Sequence, residues 1–147
     1  MATDLIAINR VGAVILLRRD GAALLQHRDN KPGLRDAGMW VPPGGHAEPE
    51  ESILECARRE LREETEYLAS DLRSLITLDC VAENWPAYRL TIFWDWYDDA
   101  QPLVCHEGQA LAFVERALAT NYPIPPQLLN AWDAALEAAG STESMGV

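Results

Sequence analysis

Glu60, Glu63 and Glu64 stand in a stretch whose aliphatic residues recur at helical spacing from near Glu51. At about 100° per residue, the three carboxylates fall within an arc of about 100° on one helix face. Leu54, Ala57 and Leu61 lie along one edge of that arc and face a core, while Glu55, Arg58, Arg62 and Glu66 lie further round. Like charges at these spacings repel, and the repulsion grows when they are partly desolvated. Hard divalent cations, which prefer oxygen ligands, offset such repulsion and can present positive charge to a small anionic substrate. An acidic helix turned wholly to solvent is the competing account. It suits Glu55 and Glu66 but not Glu64, which points to the same side as Ile53 and Ala57.

The elements that must hold this helix can be read from patterning. Val11 to Leu17 is a β-branched and aliphatic run closed by Arg18-Arg19-Asp20-Gly21 and followed by the apolar stretch Ala22 to Leu25, which reads as a hairpin. Asp29 to Met39 carries Lys31, Pro32, Gly33 and Gly38 and reads as a loop. Trp40 and Val41 form a short strand that stops at Pro42-Pro43-Gly44-Gly45, a sequence unfavourable to regular structure. Beyond the helix, Ile76 to Ala82 and Leu90 to Trp96 alternate as two strands, paired through a turn near Pro86. Ala110 to Val114 is a further strand. Leu128, Leu129, Trp132 and Leu136 follow Pro125-Pro126 at helical spacing, and the tail from Gly140 is expected to fray.

The chain has 147 residues, 48% of them apolar, which fits one domain over residues 1–147 with a sizeable core. The first residues lack the pattern of a signal peptide and no apolar run approaches membrane-spanning length, so the expected compartment is the cytoplasm and no membrane partner is expected. Cys56, Cys80 and Cys105 are odd in number and widely spaced, pointing to neither a disulfide framework nor a zinc knuckle. A formal net charge of −11 repels the backbone of a long nucleic acid. The same charge suits an enzyme that handles phosphates through divalent metal ions.

Gly45, Glu51, Arg59, Glu60, Leu61, Glu63 and Glu64 together match the signature of the Nudix hydrolases: Gly, five residues, Glu, seven residues, Arg-Glu, an aliphatic, any residue, Glu-Glu. The chain thus resembles that family over residues 45–67, and its strand order resembles the family's α/β/α sandwich with a mixed central sheet. The resemblance departs at one place. The signature's last glycine is Glu66 here, followed by Tyr67 where an aliphatic is usual. A left-handed helix exit suits glycine and costs glutamate, so either the helix runs on or Glu66 is strained.

The resemblance implies metal-dependent hydrolysis of a diphosphate linkage in a nucleoside triphosphate or other nucleoside diphosphate derivative. It makes Glu60, Glu63 and Glu64 magnesium ligands, with manganese as a substitute and the Gly45 carbonyl as a further oxygen donor. Arg59 would pair with Glu63 one turn on and, in the family pattern, with Glu51, holding the carboxylates in place. Family members differ in which carboxylate deprotonates the water, and Glu107 is the loop candidate for that base and for a further metal contact. Its setting, Glu107-Gly108-Gln109, resembles the branch that removes oxidised guanine nucleotides, although the segment Tyr122 to Gln127 lacks the asparagine that guanine-selective relatives carry there.

Arg28 and Lys31, on the loop leading towards Gly44-Gly45, are candidates for contacting substrate phosphates, against the plainer reading of surface cations. Trp85 and Tyr88 could stack on a base or simply pack on the sheet. His27, His46 and His106 show no metal-ligand spacing. The alternative to an enzyme is a non-catalytic nucleotide-binding or regulatory module on the same fold. Such modules usually lose carboxylates of the signature, all of which are present here. A homodimer is compatible with the sequence, as is a monomer.

Overall fold

The computed structural model describes residues 9–82 and 85–145. Its elements are β1 (Asn9–Leu17), β2 (Ala23–His27), β3 (Trp40–Val41), β4 (Gly44–His46), α1 (Ile53–Thr65), β5 (Arg73–Ala82), β6 (Trp85–Trp96), β7 (Ala110–Val114), a 3-10 turn (Arg116–Asn121) and α2 (Pro126–Met145). The strands form one seven-stranded mixed sheet in the order β3-β2-β1-β6-β5, with β4 pairing to β1 and β7 to β2. β1 and β6 run parallel over their length, from Asn9 against Tyr88 to Leu17 against Trp96, while the other pairings are antiparallel.

β1 shows why the sheet is a middle layer. Val11, Ala13, Ile15 and Leu17 face a core built with Leu128, Ala131, Trp132 and Ala135 of α2. Val14 and Leu16 face the opposite side, where Ala57 and Leu61 of α1 pack with Leu24, Tyr67 and Phe93. The two-residue period sends alternate side chains to opposite faces, and both faces are apolar because each is covered by a helix. Leu16, Leu17, Leu24 and Leu61 are fully buried, each contributing about 1.5–3 kcal/mol over exposure to water. The result is the α/β/α sandwich with a mixed central sheet that the resemblance implied.

The first hairpin, the loop after β2, the paired strands β5 and β6, and the last strand lie where the patterning places them. Three details differ. Gly44–His46 is a strand, not an irregular stop, because it pairs edge-on with β1 at Ala13, Gly12 and Val11. The glycines permit that approach: a Cβ on Gly44 would lie 2.4 Å from the Gly12 carbonyl oxygen. Pro86 lies inside β6, and the residues that join β5 to it, 83–84, are outside the described residues, as is the Trp85 side chain. Finally, α2 continues through Gly140, where fraying was expected, to Met145.

Candidate active site

The start of α1 is fixed by a capping box: Ser52 Oγ accepts from the Glu55 N–H at 3.0 Å and the Glu55 carboxylate accepts from the Ser52 N–H at 2.9 Å. From that origin, Ala57 and Leu61 anchor one side of the helix in the core, which places Glu60, Glu63 and Glu64 at the boundary with solvent. Arg59 joins them. Its Nε and Nη2 donate to the two Glu51 carboxylate oxygens at 2.6 and 2.9 Å, and its Nη1 donates to Glu60 at 3.0 Å and Glu63 at 3.2 Å. Nη2 also donates to the His46 carbonyl at 3.1 Å, tying the helix to β4. The guanidinium holds the Glu51 carboxyl at about 2, well below its ordinary value.

Gly45 faces the same carboxylates. A Cβ there would stand 2.4 Å from the Glu60 carboxyl carbon and 2.5 and 2.7 Å from its oxygens, so any larger residue would push the Glu60 carboxylate from its place against β4. The Gly45 carbonyl accepts from the Cys56 thiol at 3.3 Å. A thiol is a weak donor, and the carbonyl keeps a second lone pair.

Glu64 is 3% exposed. Its Oε1 accepts from Gln26 Nε2 at 3.0 Å, and its Oε2 is buried with no hydrogen-bond partner. Burial, reinforced by the nearby Glu60 and Glu107 carboxylates, pushes its pKa up to about 9. Gln26 was not singled out from sequence. The signal was there, in an amide that continues the apolar run Ala22 to Leu25, but nothing in sequence spacing links β2 to α1.

The loop after β6 is fastened at both ends. Val104 N–H donates to the Thr65 carbonyl and His106 N–H to the Glu64 carbonyl, both at 3.0 Å, satisfying acceptors that the end of α1 leaves open. On the other side, Gln109 N–H donates to the His27 carbonyl at 2.7 Å and Gln109 Nε2 to the Arg28 carbonyl at 2.9 Å. Gly108 has φ +80, and a Cβ there would meet the His27 carbonyl oxygen at 2.5 Å. Glu107 is held between these anchors and lines a cleft of about 130 Å³ with Gln26, Arg28, Asp29 and Lys31.

Arg28 and Lys31 thus share a cleft with Glu107. Lys31 is 74% exposed and 3.8 Å from Asp29, whereas Arg28 Nε is buried with no hydrogen-bond partner. Arg28 also borders a small neighbouring cavity of about 40 Å³ with an apolar floor of Val11, Ala13, Val41, Leu90 and Leu128. Tyr88 lies at that cavity's wall, 8% exposed and capped by the Arg35 guanidinium 4.5 Å from its ring, which is a packed position. His27 stacks on Trp40 at 4.6 Å.

Glu66 resolves the question raised by the missing glycine. Helix α1 ends there, with Glu66 left-handed at φ 68 and its N–H donating to the Arg62 carbonyl at 2.7 Å. That conformation costs glutamate about 1 kcal/mol relative to glycine. The Glu66 carboxylate accepts from His106 Nε2, and both side chains are about half exposed. An exposed pair of this kind returns at most about 1 kcal/mol, so glutamate at this position yields no net stability.

The donor set suits a hard cation. Glu64 Oε2 is a buried acceptor without a donor, Glu60 and Glu107 add negative charge beside it, and Gly45 leaves room for the Glu60 carboxylate. Among the described residues no three acidic, His or Cys side chains are drawn together closely enough to hold an ion as they stand. Glu60 and Glu63 are both engaged by Arg59. Glu63, 58% exposed, can swing free of it without breaking core packing.

Comparison with known proteins agrees with this geometry. The NUDIX domain model matches residues 8–128. A CTP pyrophosphohydrolase of Escherichia coli (strain K12) is 34% identical over 121 residues, 76% of this chain and 79% of that protein. The solution structure of the E. coli ORF135 protein superposes with a TM-score of 0.71 and 30% identity, covering 92% of this chain and 95% of that one. The crystal structure of a MutT NUDIX hydrolase from Burkholderia pseudomallei shares the fold, with a TM-score of 0.73 at 19% identity over 88% of this chain and 98% of its own. A match this broad, on a chain that keeps every carboxylate of the signature, makes this protein a member of the Nudix family and a pyrophosphohydrolase.

Proposed function

We propose that this chain hydrolyses a diphosphate linkage in a nucleoside triphosphate, with magnesium held by Glu60, Glu63, Glu64 and the Gly45 carbonyl. Nudix hydrolases generally use divalent metal ions and act on small nucleotide derivatives. The observation that carries the reading is the buried, unpartnered Oε2 of Glu64 beside Glu60 and Glu107, next to a cleft that also presents Arg28 and Lys31. When bound, the metal neutralises the diphosphate and acidifies a water ligand.

The chain's own residues do the rest. Arg59 keeps Glu60 and Glu63 on one side of the cleft beside Glu51, and Glu63 would turn from it to reach a metal. Arg28, whose Nε lacks an acceptor, and Lys31 meet substrate phosphate oxygens through charge-assisted bonds. Glu107, facing the same cleft, takes the proton from the attacking water and can also contact the metal. Water adds to phosphorus as the bridging P–O bond breaks, giving a nucleoside monophosphate and pyrophosphate. Cytidine triphosphate heads the substrates to test, given the pyrophosphohydrolase relative.

The experiment is a panel with magnesium of canonical and oxidised nucleoside triphosphates, nucleotide sugars, ADP-ribose and dinucleoside polyphosphates, run beside Glu63→Gln. Turnover of a triphosphate that falls at least a hundredfold in the variant, with melting temperature unchanged, is the expected result. A folded, magnesium-binding protein without turnover of any compound would replace this reading with a binding module.

A further inference from the structure

Glu66 is a residue that the Nudix signature does not contain, and in stability alone it returns nothing. It stands where two structures meet: the end of the helix that carries Glu60, Glu63 and Glu64, and the loop that carries Glu107. The contact between its carboxylate and His106 Nε2 lies one residue from Glu107 in the chain. Two backbone bonds, Val104 to Thr65 and His106 to Glu64, run beside it, so three ties bind the loop to the helix end. Gln109 and Gly108 tie the other side of the loop to β2. Glu107 is therefore placed relative to Glu64 by a short bridge in which the Glu66–His106 contact is the side-chain fastening next to Glu107, while Gln101, farther up the loop, exchanges hydrogen bonds with the Leu68 backbone at 2.8 and 2.9 Å. A glycine at position 66 would keep the helix exit and delete that fastening.

We propose that Glu66 is a positioning residue, which acts through His106 to hold Glu107 in register with the carboxylates of α1. The proposal rests on the reading of Glu107 as a working group of the active site. It explains why a strained glutamate stands at the one place in the signature where glycine is the relaxed choice. The bridge joins the two sources of carboxylate, helix and loop, so that they reach the substrate phosphate as a unit.

The test restores the signature's residue. Glu66→Gly relieves the left-handed strain, so the variant should fold with an unchanged or slightly higher melting temperature. Its kcat should fall about tenfold with KM within twofold, and Glu66→Gln, which keeps an acceptor for His106, should recover most of the loss. In a Glu107→Gln background the glycine substitution should have no further effect, because its route runs through Glu107. In the metal-free protein, amide exchange at Val104 and His106 should quicken about tenfold in Glu66→Gly. Full activity in Glu66→Gly, an equal loss in both backgrounds, or unchanged amide exchange would overturn the proposal. Wild-type turnover by Glu107→Gln would also overturn it, yet leave the metal-dependent hydrolysis that Glu63→Gln tests standing, so the two failures are distinguishable.

Discussion

Replacing Glu64 by glutamine should make the metal-free protein more stable while abolishing its chemistry. The folded carboxyl titrates near 9 against an ordinary 4.5, so from about pH 4.5 to 9 the native state keeps a proton that the unfolded chain has released. Stability therefore declines as pH rises through that window. At pH 7 the interval from 4.5 is about 2.5 units, which at about 1.4 kcal/mol per unit amounts to about 3 kcal/mol. Glutamine has the shape of the protonated acid, can still accept from Gln26 and carries no proton to lose. The variant should match wild type near pH 4.5 and exceed it by about 3 kcal/mol at pH 7, or about 6–12 °C in melting temperature for a chain of this size. Thermal melts in EDTA across pH 4.5–8.5 read the gap directly. Magnesium should raise the melting temperature of the wild type but not of the variant, and turnover should be lost in the variant. A gap that is absent, or constant with pH, would mean that Glu64 is ionised in the metal-free protein and would refute the argument from burial.

Arg59→Lys keeps the charge but not the planar fork that spans Glu51, Glu60 and Glu63; manganese affinity measured by calorimetry should weaken about 10–100-fold with the fold intact. Gly45→Ala drives a methyl into the Glu60 carboxylate and displaces it, so both manganese affinity and kcat should fall, while melts should show a loss of about 1 kcal/mol or less because the carboxylate ends a flexible side chain. Unchanged affinity in either variant would remove that residue from the metal-holding arrangement.

The helix face was legible because its spacing is local: the phase of Glu64 relative to Ile53 and Ala57 already turned it inward, and the structure buries it. Paired strands were legible wherever alternation was strong, as in β5 and β6. The unread features depend on partners distant in sequence. Gln26 acquires its meaning only when β2 passes the inner face of α1, and Gly44–His46 becomes a strand only because β1 offers an edge. Glu66 posed a choice that local propensity could not make. The helix stops there because the loop from Val104 to His106 takes up the backbone acceptors of Glu64 and Thr65, and its own N–H closes on Arg62.

The parallel pairing of β1 with β6 has a consequence for how the molecule comes into being. Each residue of β1 meets a partner about 80 positions further along, and helix α1 lies in the intervening segment. Closing a loop of that length costs entropy before any strand contact rewards it, which places this pairing among the slow steps of folding. On the ribosome β1 emerges long before β6, so its two apolar faces and one free edge wait for a strand that has yet to be made. Chaperone dependence and aggregation should therefore concentrate in nascent chains that end before Trp96.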